Sequence, residues 1–337
     1  MRGPHQGSER IEMGRSVVLV AFDVQPGDRE LAAQLDELAD LHYREDLEGA
    51  ELARIMTQTD ILIVGGWRGS ITADMVTAMP ALKFIQTLAA GVNNVPFSSL
   101  SPSVIVSSGS GANSREVAEH ALAMAFAAAK NLVRHTVAMR SGAFPHGEVS
   151  STLEGKTLGV LGVGSIGSML SRMARCLGMR VLGCDLNTSN AHLVDGFYPA
   201  SELNEFLGEV DFLIVCVPLT RRTTGMIGRC ELSAMKRDAV LINISRGAVI
   251  KEEDMYEHLK ANPRFTACLD VWWKYSPDRT FEQNRPFKEL DNVLMTPHNA
   301  THSPGQRERM VRFALDKAVR YLRGETLEGI ADPADYT

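Results

Sequence analysis

Hydrophobic and polar positions along the 337-residue chain follow two alternating rhythms. Short apolar runs read as buried strands, and stretches with apolar positions three or four apart read as helices. In the first half the strands fall at Val17–Phe22, Asp60–Val64, Phe84–Leu88 and Val104–Ser107. Helical spacing appears around Arg29–Leu41 and over Thr72–Met79, where Pro80 stops it. A long helical stretch runs from Arg115 to Ser141, with Asn113 or Ser114 as N-cap and Glu116 and Glu119 near the positive end of its dipole. A helix of that length is able to bridge two domains. The second half repeats the rhythm with strands Thr157–Leu161, Arg180–Cys184, Phe212–Val217, Ala239–Ile244, Phe265–Asp270 and Val293–Thr296, then an amphipathic helix, Arg307–Leu322. Strands alternating with helices predict an α/β chain built on parallel sheets. Residues 1–15 carry no such periodicity and read as a flexible tail.

Composition narrows the function classes. The length suits two domains of ordinary size. Lys and Arg total 35 against 41 Asp and Glu, a net charge of −6, so no basic field invites nucleic acid. With 45% hydrophobic residues the chain can build a core, which excludes a disordered acidic protein. The longest apolar stretch, Ala121–Ala129, is too short to cross a bilayer, and no apolar leader opens the chain. Cys176, Cys184, Cys216, Cys230 and Cys268 form no CxxC pair, which suits a reducing, cytoplasmic setting. The histidines show no metal-ligand spacing, so no metal is expected.

One segment carries a recognisable phosphate-binding pattern. The apolar strand Thr157–Leu161 runs into Gly162-Val163-Gly164-Ser165-Ile166-Gly167, and a helical pattern follows at once. Gly162 is expected to make the tight turn, Gly164 to let the backbone approach a pyrophosphate, and Gly167 to allow close helix–strand packing. The helix N-terminus offers free N–H groups to the phosphates. The next strand ends in Asp185, an acid placed to accept hydrogen bonds from ribose hydroxyls and to repel a 2′-phosphate. No arginine follows it directly, so the pattern predicts NAD over NADP.

Three polar residues sit just past the ends of later strands, where an open α/β sheet forms its ligand crevice. Arg246 follows AVLINI, Asp270 ends FTACLD, and His298 follows VLMTP. Arginine forks onto a carboxylate and keeps its charge. Histidine, with an ordinary pKa of about 6.5, can move the proton that accompanies hydride transfer.

With these residues in place, the chain resembles the D-isomer-specific 2-hydroxyacid dehydrogenase family from about Asp60 to Thr301. The resemblance rests on Gly162–Gly167, Val217-Pro218-Leu219-Thr220, Asn243–Gly247, Leu269-Asp270-Val271 and Thr296-Pro297-His298. Ala90–Asn94, Gly111–Ser114 and Val117–His120 match the same pattern. It implies a Rossmann-type doubly wound parallel sheet, residues 112–300, inserted into a smaller flavodoxin-like α/β substrate domain, residues 16–111 and 301–330. It implies that Arg246 clamps the substrate's carboxylate and carbonyl oxygen, that His298 is the acid/base, and that Asp270 meets the nicotinamide end of the cofactor. Ser165, Ile166, Val217, Pro218, Thr223, Ile244, Ser245 and Ala300 would line the dinucleotide. Backbone N–H groups at Ala90 and Gly91 would bind the substrate carboxylate, with Trp67 and Arg68 facing its side chain. The partners it implies are a small 2-oxo or 2-hydroxy acid and a second copy of the chain, joined through the NAD domain near Glu116–Ser141.

The chain departs from the family at a telling place. The usual Asp-Val-Phe-x-x-Glu-Pro puts a glutamate beside the catalytic histidine; five residues past Asp270 stands Tyr275. Without that carboxylate, His298 is expected to be protonated less often at neutral pH. Three arrangements are open: Tyr275 orients the histidine by a hydrogen bond, Asp278 or Glu282 swings in, or the chemistry needs no proton, as in formate oxidation. Trp272, Trp273 and Tyr275 either pack the domain edge or form a substrate wall. Cys216, where relatives have His, reads as a small apolar residue without a reactive thiolate. His120 is expected to pin the long helix. Alternatives to a 2-hydroxyacid dehydrogenase are a formate-type dehydrogenase and an NAD-sensing corepressor-like binding protein.

Overall fold

The computed structural model describes residues 15–66, 71–278 and 280–337. The chain divides into two compact units, one ending at Gly109 and resuming over Met310–Pro333, the other holding Ser110–Arg309 and Ala334–Thr337. The second crossing therefore falls at residue 310 rather than 301, inside the helix Gln306–Leu322, and the last four residues return to the larger unit.

The smaller unit is a five-stranded parallel sheet of β1 (Val17–Ala21), β2 (Asp40–Tyr43), β3 (Ile61–Val64), β4 (Phe84–Thr87) and β5 (Ile105–Ser107), in the order β2-β1-β3-β4-β5. That is the flavodoxin-like order. β3 and β4 are buried at every position, because a parallel sheet is covered on both faces. The helical spacing around Arg29–Leu41 yields two short helices, Asp28–Leu31 and Ala33–Leu38, and then β2. β2 pairs in register with Val17–Val20 but is an edge strand that is only partly buried, so no apolar run marks it.

In this unit Val311, Ala314, Leu315, Ala318 and Val319 pack with Val18, Val20, Ile61, Ile63 and Phe84. Tyr321 stacks on Phe84 at 4.2 Å between ring centroids. Buried among them, Lys317 donates from Nζ to the carbonyl oxygens of Ser108 (3.0 Å) and Glu328 (2.6 Å). Burial lowers its pKa. It ties the strand-like segment at Gly329–Ala331, which pairs with Val106–Ser108, to the helix. Lys317→Met keeps the stem and leaves both carbonyls without their donor, at a cost of about 2 kcal/mol or more. Thermal denaturation should show a melting temperature lower by about 5 °C; an unchanged melt would contradict this role.

The larger unit is a seven-stranded parallel sheet of β6 (Thr157–Leu161), β7 (Arg180–Asp185), β8 (Gly196–Pro199), β9 (Phe212–Val215), β10 (Val240–Asn243), β11 (Thr266–Leu269) and β12 (Val293–Met295). Its order, β12-β11-β10-β9-β6-β7-β8, is that of a Rossmann-type sheet with its switch point between β6 and β9. Side chains alternate between two cores, as strand geometry requires. Leu158, Val160, Phe212 and Ile214 face the helices Ser114–Ala129 and Ser165–Cys176, whereas Leu161, Leu213 and Val215 join Phe206, Leu232 and Met255.

The single long helix expected over Arg115–Ser141 is two, Ser114–Ala129 and Leu132–Arg140. Asn131 breaks it in the left-handed region, φ 52°, a conformation that asparagine tolerates. Asn113 does occupy the N-cap position, but its side chain makes no capping hydrogen bond. No helix among the described residues is long and apolar enough to cross a membrane.

Candidate active site

The three glycines of the first βα turn take three different physical roles. Gly162 has φ 98°, and a Cβ there would meet the Val217 amide nitrogen at 2.9 Å. A Cβ at Gly167 would lie 2.2 Å from the Gly162 carbonyl oxygen, so this turn of helix sits directly on the strand. A Cβ at Gly164 would meet nothing within 4 Å. That open ground lies at the N-terminus of the helix Ser165–Cys176, whose first amides, Ser165 and Ile166 among them, have no intrahelical acceptor. A pyrophosphate fits it by shape and by charge. The contrast is measurable. Gly167→Ala should destabilise the protein by about 2 kcal/mol through overpacking. Gly164→Ala should leave the melt unchanged but weaken NADH binding about tenfold. Equal effects of the two on melting would refute the distinction.

Asp185 ends β7 with one carboxylate oxygen accepting from the Val163 amide at 2.7 Å and the other from the Asn187 amide at 3.0 Å. It thereby clasps the glycine turn, and its remaining lone pairs suit ribose hydroxyls. Beyond β9, Val217 and Pro218 lead into a turn that is braced from within. Thr223 Oγ1 donates to the Pro218 carbonyl (2.6 Å) and accepts from the Thr220 amide (2.8 Å). Its hydroxyl shapes the loop expected to line the dinucleotide.

Arg246 emerges past β10 on a tightly held backbone. Asn243 accepts from the Ser245 amide (3.1 Å) and donates to the Arg246 carbonyl (3.1 Å), and Ser245 Oγ accepts from the Arg246 amide (2.5 Å). A Cβ at Gly247 would fall 2.4 Å from the Trp272 backbone, so only glycine allows the Arg246 loop to lie against the end of β11. The guanidinium donates to the Ser245 carbonyl at 2.7 Å. Burial lowers its pKa and the nearby Tyr275 and Tyr336 phenols oppose that, but an arginine so placed stays charged. Ile244 and Ser245 are both buried here.

His298 stands past β12 in the left-handed region, φ 56°. Asp270 holds the turn that puts it there. Its carboxylate, only 1% exposed, accepts from the Asn299 amide (3.0 Å), the Ala300 amide (3.2 Å) and the Thr296 hydroxyl (2.6 Å). His120 completes the cluster, with Nε2 3.2 Å from Thr296 Oγ1 and 3.6 Å from Asp270. His120 thus pins the helix Ser114–Ala129 to the end of β12. Thr296 stands in the Thr296-Pro297-His298 motif, but its bond to Asp270 carries no signal in the sequence, because the partner is set by the fold. Burial lowers the His298 pKa, Arg246 lowers it further, Asp270 raises it, and His302 lowers it.

Tyr275 packs beside His298, with its phenol within electrostatic reach of Arg246. Its ring is 5.5 Å from that of His298, tilted by 48°, and its phenol oxygen accepts from the Trp272 amide at 3.0 Å. Neither candidate acid pairs with the histidine: Asp278 is held by Ser276 and Thr280 within its own loop, which lowers its pKa to about 2, and Glu282 pairs with Lys274. The tryptophans pack instead of forming a wall. Trp272 is buried edge-on to Phe281 and Phe287, and Trp273 stacks on Phe287 at 5.1 Å. Burial pushes the Cys216 thiol upward, as expected for an unreactive thiol.

In the smaller unit, Ala90 and Gly91 follow β4. No hydrogen bond from either amide is seen among the described residues, so both can meet an anion. Trp67 and Arg68 lie outside the described residues.

Residues 122–300 match the NAD-binding domain of the D-isomer specific 2-hydroxyacid dehydrogenases. The chain is 32% identical over 300 residues to the hydroxypyruvate reductase of Thermotoga maritima, covering 88% of this chain and 96% of that one. It is 29% identical over 307 residues to the D-3-phosphoglycerate dehydrogenase of Methanocaldococcus jannaschii, a match that covers 88% of this chain and only 56% of that longer relative. Among solved structures, D-lactate dehydrogenase from Aquifex aeolicus, complexed with NAD and lactic acid, superposes with a TM-score of 0.73 at 26% identity, covering 91% of this chain and 96% of the other. The chain belongs to the D-isomer specific 2-hydroxyacid dehydrogenase family, carries its NAD-binding domain and takes NAD as its cofactor.

Proposed function

We propose that the chain interconverts a small 2-oxo acid and its 2-hydroxy acid, with Arg246 holding the substrate and His298 moving the proton. The observation that carries this reading is a half-buried imidazole 5.5 Å from the Tyr275 ring, with the half-buried Arg246 guanidinium within electrostatic reach of the same phenol. Gly162, Gly164, Gly167 and Asp185 would hold NAD, which when bound would supply the hydride acceptor or donor. Arg246 forks onto the substrate's carboxylate and carbonyl oxygen and polarises the carbonyl. His298 donates a proton to that oxygen in reduction and withdraws it in oxidation. Asp270 keeps His298 aimed by holding the turn at Asn299 and Ala300. Asp185 favours NAD over NADP, because a 2′-phosphate would meet its charge.

Two further features support the finer reading. All five cysteines are free, which suits the cytoplasm. Leu132, Val133, Val137 and Met139 on one helix, with Phe144 at 74% and Val149 at 92% exposure, leave an apolar surface on the NAD-binding unit that a second copy would cover in a homodimer. The test is a panel of glyoxylate, hydroxypyruvate, pyruvate and phenylpyruvate with NADH and with NADPH, and formate with NAD. NADH-dependent reduction of at least one 2-oxo acid is expected. Tight NADH binding without any turnover would replace the enzyme with a nucleotide sensor. Turnover of formate alone would favour hydride transfer without a proton, the reading that Tyr275 in place of an acid keeps in view.

A further inference from the structure

The segment Ala334–Thr337 belongs to the NAD-binding unit, although the residues before it, Met310–Pro333, belong to the other. Two adjacent arginines hold it there. The Arg221 amide donates to the Asp335 carbonyl at 2.9 Å, its guanidinium donates to the Thr337 carbonyl, and Arg222 pairs with the Asp335 carboxylate at 2.9 Å.

Those anchors have a definite place on the sheet. Arg221 and Arg222 lie in the loop after β9, and Arg246 lies in the loop after β10, the neighbouring strand. The two loops run side by side: Gly225 donates to the Ala248 carbonyl at 2.8 Å, and Ile227 bridges Ile250 in parallel. The segment therefore joins the cluster of loops past β9 and β10 from which Arg246 emerges. Tyr336, between its two anchored neighbours, is half-buried and within electrostatic reach of the Arg246 guanidinium.

We infer that Tyr336 is a specificity-determining residue, its phenol joining Tyr275 beside Arg246 to bound the space in which a 2-oxo acid's side chain must fit. The inference rests on the proposed role of Arg246 in holding that substrate. A phenol offers an apolar face to a carbon side chain and a hydroxyl to a polar one, and it sets the depth available beyond the clamped carboxylate. No recognition motif led to it, because the residue is brought to the site by the crossing of the chain and not by its neighbours in sequence.

The test uses the full-length protein and the same 2-oxo acid panel, with steady-state kinetics of the unaltered chain, Tyr336→Ala and Tyr336→Phe. For Tyr336→Ala, KM for the best small 2-oxo acid should rise about tenfold, and the preference for phenylpyruvate over glyoxylate should increase. KM for NADH and the melting temperature should not move, which separates the role from a merely structural one. Tyr336→Phe should retain the preference among side-chain sizes. An active unaltered protein whose KM values and preferences survive Tyr336→Ala overturns this inference alone. An unaltered protein with no turnover on any acid overturns the proposed function and this inference with it.

Discussion

Replacing His298 with alanine is expected to slow 2-oxo acid reduction about a thousandfold, with NADH affinity held within a few-fold. The loss follows from the site's inventory. Asp270 is occupied by two amides and a hydroxyl, and Asp278 and Glu282 are engaged elsewhere, so none of these acids stands ready to take over the proton. The pH dependence gives a second reading of the same group. Burial and Arg246 hold the His298 pKa below its ordinary value, so the imidazole loses its proton before neutrality. Reduction consumes that proton; its rate should therefore fall as pH rises through a midpoint below about 6.5. Oxidation needs the neutral ring and should rise through the same midpoint. Tyr275→Glu would put a carboxylate beside the ring, favour the imidazolium and move the midpoint upward by about one unit or more. A midpoint that ignores Tyr275→Glu, or full activity in His298→Ala, would remove histidine from the chemistry.

Arg246→Ala should lower kcat/KM for the 2-oxo acid by about a thousandfold, the loss of two charge-assisted hydrogen bonds of about 2 kcal/mol each. Arg246→Lys restores the charge but not the planar fork, so it should recover only part of the loss. Binding of NADH, followed by its fluorescence, should survive both changes. The loop geometry makes this separation possible: Asn243, Ser245 and Gly247 hold the backbone of residue 246 whatever its side chain. Equal activity of the lysine and arginine proteins would mean that a point charge suffices.

How far the site could be read from sequence depended on how local its causes are. Glycines at 162, 164 and 167 act within six residues, and the backbone shows why each is local: a positive φ at Gly162, no room for a Cβ at Gly167 and open space at Gly164. Arg246, Asp270 and His298 could be placed along one edge of the sheet because strand ends in an open α/β sheet lie together. What Asp270 does there was not: its carboxylate turns toward Thr296, Asn299 and Ala300, partners set by tertiary packing. The break at Asn131 was hidden by an apolar pattern that continues across it, since one left-handed residue changes the direction of a helix without changing its composition. The edge strands β2 and β8 escaped for the opposite reason, having one partner each and too little burial to require an apolar run. Tyr336 was invisible because its place depends on a chain crossing that no periodicity records.

The most direct measurement is the fate of deuterium carried on C4 of NADH, followed by mass spectrometry and chiral analysis of the product from the best 2-oxo acid. If Arg246 and His298 work on one carbonyl beside the nicotinamide, the label appears at C2 of a single hydroxy-acid enantiomer. NADH consumed with no label in the acid, or label in an equal mixture of both enantiomers, would contradict the account.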